Sequence, residues 1–218
     1  MAENRGAAER VWRVLLIGVL VALVTSSCAQ VEQITSIKLK RTHLRFDLPQ
    51  TSRIFASNGR LITTFHGEEN RTIVKLRSLP DYVWRAIVAI EDERFFEHHG
   101  VDLKAVLRAA IENVTSGEVR QGGSTITQQY VKNMIISPEG PAAKTLERKI
   151  REAALARQLE RRLTKREILS RYINAVYFGN GAYGVDEAAR TYFRKPARRL
   201  KPWQAATVAG LIRNPSVY

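Results

Sequence analysis

The sequence predicts a mainly α-helical domain, preceded by a short apolar anchor and a small β-hairpin region. Three observations carry this. From Asp81 onward, apolar residues recur at helical spacings almost to the end of the chain. Between residues 52 and 65, two runs rich in β-branched and aromatic residues flank Ser57-Asn58-Gly59, the composition of a hairpin turn. Ahead of both, arginines precede an unbroken apolar run near the N-terminus.

That first run extends from Val14 to Val24, behind Arg5, Arg10 and Arg13, and fades through Thr25, Ser26 and Ser27. Positive residues ahead of an apolar run keep its N-terminus in the cytoplasm and send the remainder across the membrane. The run is short for a span unless Val11-Trp12 and the Ser-Cys-Ala end are included, so it reads as a signal-anchor or a cleaved signal peptide. Ser26-Ser27-Cys28 also fits a lipoprotein processing site, but Thr25 stands where a leucine is usual. The uncleaved anchor over residues 1–29 is the favoured reading. An extended linker with a hairpin over 30–79 and a helical domain over 80–218 follow.

In the linker, Ser52 to Ala56 and Arg60 to Phe65 form the hairpin arms, and Thr72-Ile73-Val74-Lys75-Leu76 reads as a further extended run. Pro80-Asp81 starts the first helix, which the pattern carries to His98-His99-Gly100, with Gly100 as its C-terminal cap. Asp102 to Ile111 forms the second, Gly117 to Gly123 a loop, and Ser124 opens the third. Ser137-Pro138-Glu139-Gly140-Pro141 breaks the pattern. Helices then run over 144–162, 165–177, 185–193 and 203–211.

The chain has 218 residues and 35 lysines and arginines against 21 acids, a net charge of +14. Such a field favours nucleic acid, acidic lipid or phosphorylated substrates. No nucleic-acid motif or zinc-ligand spacing is present, which argues against the first. A single cysteine, Cys28, excludes an intrachain disulfide and any cysteine-cluster metal site.

The chemistry-bearing residues fall into three groups. Glu91 shares a helical face with Trp84, Ile87, Val88 and Phe95. A carboxylate on such a face loses hydration, which raises its pKa toward values useful for proton transfer. The bland alternative is a boundary glutamate reaching water or Arg94. Next, Gly122-Gly123-Ser124-Thr125-Ile126-Thr127-Gln128-Gln129 is a loop entering a helix, with Thr125 and Gln128 spaced as a capping box. Free N–H groups at such a start can face an anion. The polar side chains of this helix predict a wet cleft, to which Lys132 adds a cation; the bland alternative is an ordinary capped helix. Last, Glu152 heads an apolar stripe of Leu155, Ala156, Leu159 and Leu163, among Lys144, Arg148, Lys149 and Arg151. Those cations favour its charged form, opposite to Glu91, and two carboxylates in opposed environments suit one proton carrier and one charge stabiliser. A solvated basic helix with pairs such as Glu147 and Arg151 is the bland alternative. A sugar-cleaving enzyme and a non-catalytic acidic-lipid-binding module both fit these features.

Taken together, the segments resemble the membrane peptidoglycan glycosyltransferases, glycosyltransferase family 51, found in class A penicillin-binding proteins and monofunctional transglycosylases. Glu91 to Gly100 resembles the family's Glu-Asp-x-x-Phe-x-x-His-x-Gly signature at every fixed position, including Asp92, Phe95 and His98. Gly122 through Gln129, followed by Lys132-Asn133, resembles the second motif, and Arg148-Lys149-Ile150-Arg151-Glu152 the third. Lys165 to Asn174 looks like the fourth. Tyr177 to Gly184, with Ala188-Ala189 and Tyr192-Phe193, matches the fifth. The match spans about residues 80–214, and five ordered motifs leave coincidence no serious role.

The resemblance implies a lysozyme-like helical domain of two lobes around a cleft, one lobe dipping into the membrane. It implies polymerisation of lipid II into glycan strands, with Glu91 as general base and Glu152 as second glutamate. Ser124, Thr125, Gln128, Gln129, Lys132, Asn133, Lys144, Arg148 and Lys149 match substrate-binding positions; Asp92, Phe95, His98 and Gly100 match supporting ones. Implied partners are lipid II, the nascent strand, the membrane and the cell-wall synthesis machinery, on the extracytoplasmic side of the inner membrane. A magnesium or manganese ion often assists in this family, but no dedicated metal cage and no organic cofactor is implied. His99 matches no role, and Tyr177, Phe178 and Tyr183 are packing residues. The hairpin and Leu79-Pro80 look like the region preceding this domain in bifunctional members. Yet Ser-x-x-Lys, Ser-x-Asn and Lys-Thr-Gly are missing, and the sequence stops at Tyr218 where bifunctional members continue. A truncated bifunctional protein is expected, and the monofunctional form stays open.

Overall fold

The computed structural model describes residues 38–65, 67, 69–116, 123–137 and 146–215, with backbone only for 110–116. The expected anchor, most of the Gly117–Gly123 loop, the Pro138–Pro141 breaker and Lys144 lie outside them. No helix among the described residues is long and apolar enough to cross a membrane.

The described chain is mainly helical. Helix α1, Asp81–Glu91, starts behind Pro80 (φ −57°), with Asp81 in its first turn favouring the positive end of the helix dipole. It ends seven residues earlier than the sequence pattern predicts, because Asp92 leaves the helical region at φ −164°. The Asp92 carboxylate instead accepts hydrogen bonds from the N–H of Ile126 (3.0 Å) and meets His98 Nε2 (3.0 Å), which the helix axis would forbid. Phe95 therefore does not share the helical face of Glu91. It fills the core, fully buried, from the turn that follows. That turn closes on Gly100, whose φ of +88° and position over another backbone require glycine: a Cβ there would stand 2.8 Å from the Arg157 amide nitrogen.

Helix α2, Leu103–Ser116, is capped by Asp102, whose Oδ1 accepts from the Lys104 and Ala105 amides at 3.0 and 3.1 Å. Helix α3, Ile126–Val131, is short and lies at the centre, packed on α4 (Leu146–Glu160) and α5 (Lys165–Ala175). Its Thr125–Gln128 box forms in both directions, and it passes into a π-helical turn at Lys132–Ile136. Helices α6, Val185–Phe193, and α7, Pro202–Leu211, complete the order. Helix α7 runs parallel to α1: Tyr82 donates to the Leu200 carbonyl at one end (2.6 Å) and Arg213 to the Ile90 carbonyl at the other (3.1 Å). Ile87, Ile126, Leu155, Leu159, Ile168, Ile173 and Phe178, all essentially inaccessible, join these helices in one core.

Strands β1 (Ser52–Phe55) and β2 (Leu61–Phe65) pair antiparallel around a turn in which Gly59 takes φ +78° and Asn58 accepts from the Arg60 amide. Strand β3, Asn70–Arg71, pairs in parallel with β4, Ala182–Tyr183. The extended run expected over Thr72–Leu76 is not a strand. The Asn174 side chain takes the place of a neighbouring strand there, accepting from Val74 N (2.8 Å) and donating to Val74 O (2.9 Å). A Leu76–Ser78 310 turn then leads into α1.

Candidate active site

Glu91 stands at the C-terminal end of α1, half-buried, at the wall of a cavity of about 190 Å³. That space far exceeds the roughly 30 Å³ share of a single water. Its walls also include Asp92, Arg94, Arg108, Ser124 and Arg213. Burial raises the Glu91 pKa above the ordinary carboxylate range and Asp92 adds to the rise, while the Gln129 amide and Arg213 restrain it. Gln129 Nε2 donates to Glu91 Oε2 at 2.7 Å, and the Gln129 carbonyl accepts from Tyr172 Oη at 2.9 Å. Glu91 Oε1 is buried and accepts no hydrogen bond from the described residues. The cation near Glu91 is Arg213 rather than Arg94, which is engaged by Glu97 (2.9 Å) and Asp102 (3.2 Å).

Behind this wall, Asp92 and His98 form a buried pair, both below a tenth exposed. Lys165 Nζ sits 4.4 Å over the Phe95 ring and 2.8 Å from Glu160, which also accepts from Thr127 (2.6 Å). Asp92 thus couples the end of α1 to the first amide of α3, and Gly100 O accepts from Thr125 Oγ (2.7 Å) beside it. These contacts fix where Glu91 points.

On the other flank of α3, Glu152 is 1% exposed and is held between Arg148 Nε (3.0 Å) and Lys149 Nζ (2.8 Å). Lys149 Nζ also donates to Ser124 Oγ at 2.9 Å, at the cavity edge. Glu91 and Glu152 therefore flank the same short helix, one reaching it at Gln129 and the other, through Lys149, at the residue preceding its cap.

Not every residue marked by the sequence comes to this cavity. Thr125 lines it, but its hydroxyl serves the cap and Gly100; Gln128 is buried with its side chain in the cap; Thr127 is turned to Glu160. The wet face expected of α3 thus reduces to Ser124 at its approach, with Gln129 touching the cavity wall only through Glu91. Lys132 and Asn133 are exposed on the π-helical turn, and Lys144 lies outside the described residues. Nothing in the sequence pattern marks Arg108 or Arg213 as cavity residues. The one cue for Arg213 is its place at the end of the last helix, ahead of Asn214-Pro215. Tyr172 sits inside the fourth motif with no spacing that reveals its partner. Among the described residues, no group of three or more His, Cys, Asp or Glu side chains is disposed to hold a metal ion.

A dehydrated carboxylate facing a polar cavity, with a second carboxylate gripped by cations nearby, defines a site for moving a proton beside developing negative charge. The transglycosylase family model matches residues 58–218. Penicillin-binding protein 1A of Aquifex aeolicus is 44% identical over 170 residues, covering 78% of this chain and 23% of that protein. The Escherichia coli penicillin-binding protein 1A is 43% identical over 175 residues, covering 80% and 20%. The crystal structure of penicillin-binding protein 1A from Haemophilus influenzae, 24% identical, covers 78% of this chain and 15% of its own, with a TM-score of 0.37. The chain belongs to the transglycosylase family, the peptidoglycan glycosyltransferase domain of class A penicillin-binding proteins. It spans about a fifth of the length of these curated relatives.

Proposed function

We propose that this domain polymerises lipid II into β-1,4 glycan, and the observation that carries the reading is the partly dehydrated Glu91 in the cavity wall, one of whose oxygens has no hydrogen-bond partner among the described residues. The Glu91 carboxylate takes the proton from the 4-hydroxyl of the acceptor sugar. The hydroxyl oxygen attacks the anomeric carbon of the donor sugar from the face opposite its α-linked undecaprenyl pyrophosphate. The new C–O bond forms as the bond to the diphosphate breaks, with inversion, and the electron pair leaves on the diphosphate. A hydrated carboxylate is too weak a base for this step; a partly dehydrated one is better matched to it.

Lys149 and Arg148 neutralise the charge that develops on the departing diphosphate, and Glu152 holds both in place. Ser124, bonded to Lys149, sets where that cation meets the cavity. Lys132, Asn133 and Lys144 contribute to the same substrate from the segments beyond. A magnesium or manganese ion, when bound, would be held chiefly by the substrate phosphates and would add to this neutralisation. The domain has the two-lobed, lysozyme-like form of its family and works on the outer face of the inner membrane, beside the cell-wall synthesis machinery. Its lipid contact is the exposed apolar face of α2, Leu103, Val106 and Leu107.

Labelled lipid II presented in detergent or vesicles tests this. Long glycan from the wild-type chain and none from Glu91→Gln is the expected result; unchanged polymer yield from that variant removes Glu91 as the base. Solubilised fragments from preformed peptidoglycan, without any lipid-linked precursor, would instead mark a hydrolase. Vesicle binding with no turnover would mark a lipid-binding module.

A further inference from the structure

We propose that Tyr172 is a positioning residue for this reaction: its phenol locks the Gln129 amide in the one orientation that keeps Glu91 ready to accept a proton. The inference rests on Glu91 being the base. Tyr172 belongs to α5, is 1% exposed, and approaches the substrate cavity only through other side chains.

The chain of donors has one consistent direction. Tyr172 Oη donates to Gln129 Oε1 (2.9 Å), so the amide nitrogen must face the other way, toward Glu91 Oε2 (2.7 Å). Turning the amide over would set its oxygen against a carboxylate oxygen, which is tolerable only with a proton on Glu91. In that reversed state the amide nitrogen would point at the phenol oxygen. The phenol hydrogen would then lose the acceptor it has in the structure and be left as a buried donor, an arrangement proteins avoid. Tyr172 therefore selects against the protonated carboxyl, and so works against the dehydration that favours it. Burial, with Glu91 and Asp92 nearby, pushes the Tyr172 pKa well up, so the phenol keeps its hydrogen at every pH the enzyme meets.

Other groups also face Glu91. Asp92 adjoins it and raises its pKa, Arg213 from the end of α7 lowers it, and Glu93, Arg94, Asp102 and Arg108 line the same cavity. Among the described residues none of these hydrogen-bonds the Gln129 amide, so Tyr172 is the group that sets its orientation toward Glu91. A general structural role would lower activity at all pH values equally. The lock makes a different demand: the acid limb of the pH–rate profile must move.

The test is lipid II polymerisation by the full chain across pH, with thermal unfolding as a control on folding. Tyr172→Phe is expected to shift the acid limb upward by roughly one pH unit, equivalent to a tenfold change in the ionisation equilibrium, with KM little changed. Incorporating 3-fluorotyrosine at 172 keeps the size and strengthens the donor, and is expected to move the limb slightly downward; this arm stands even if Tyr172→Phe fails to fold. In a Gln129→Ala background, Tyr172→Phe should add no further shift, because the amide it acts through is gone. An unmoved limb in both Tyr172 variants, or the same shift surviving in Gln129→Ala, overturns the lock. If Glu91→Gln keeps the wild-type rate, the base assignment falls first; if that variant is inactive and the limb stays fixed, only the lock falls.

Discussion

The two flanks of α3 hold two carboxylates withdrawn from water under opposite regimes. Around Glu91 a neutral amide, Gln129, donates to one oxygen, while Arg213 and Asp92 act through their charge. Around Glu152 both oxygens meet cations, Arg148 and Lys149, and exposure is 1%. Dehydration alone does not set a carboxylate's task. What decides it is whether the lost water is replaced by paired cations or chiefly by a neutral donor: the first gives a rigid anchor for cations, the second a proton acceptor.

The sharpest way to break this contrast is to neutralise each acid in turn. Glu91→Gln is expected to lower the initial polymerisation rate by roughly 10²–10⁴-fold with the fold intact, the scale of a lost general base. Glu152→Ala is expected to lose activity and also about 1–3 kcal/mol of stability, since it strips the partly solvated Arg148 and Lys149 of their shared carboxylate. Denaturant unfolding of both variants checks the difference, and equal stability losses would erase the distinction between the two carboxylates. A gentler comparison uses pH. Glu91 must be ionised to accept a proton and burial raises its pKa, so activity should climb with rising pH along a limb set above the ordinary glutamate value of about 4.3. A rate already maximal at that pH would contradict the dehydrated environment.

Stability should report the same environment with the opposite sign. A carboxyl whose folded-state pKa is raised costs stability once it is ionised, above that raised value, and costs none below the unfolded-state value. Glu91→Gln should therefore raise Tm slightly at neutral pH, and the gain should vanish on acidification. The smallest effect concerns the surface. Leu103→Ser with Leu107→Ser should weaken vesicle sedimentation several-fold while leaving Tm within about a degree, because both residues are exposed in the folded chain.

Much of this could be read from the sequence, for physical reasons that also mark where it could not. The helices from Asp81 onward, and the Thr125–Gln128 cap, depend on neighbours three or four residues away, which a linear pattern contains. The early end of α1 depends on Asp92 meeting Ile126, 34 residues on, and no local periodicity encodes that. The acidic pair was legible because Glu91 and Glu152 each interrupt an apolar stripe. Their wiring was not: Gln129 and Gln128 are adjacent and chemically identical, yet one faces Glu91 and the other closes a cap. Arg213 reaches Glu91 only because α7 lies parallel to α1, a tertiary fact.

The contacts made upstream of Pro80 have a practical edge. Asn174 grips both sides of the Val74 peptide, Glu187 receives Thr72 and Arg53, and Gln158 receives the Leu39 amide. Three helices thus depend on residues upstream of Pro80 to satisfy their inward polar groups. A shortened version begun at Pro80, the tidy boundary that composition recommends, would strand those amides and acids, and crystallographers or screeners trimming this protein should cut well upstream of Leu39.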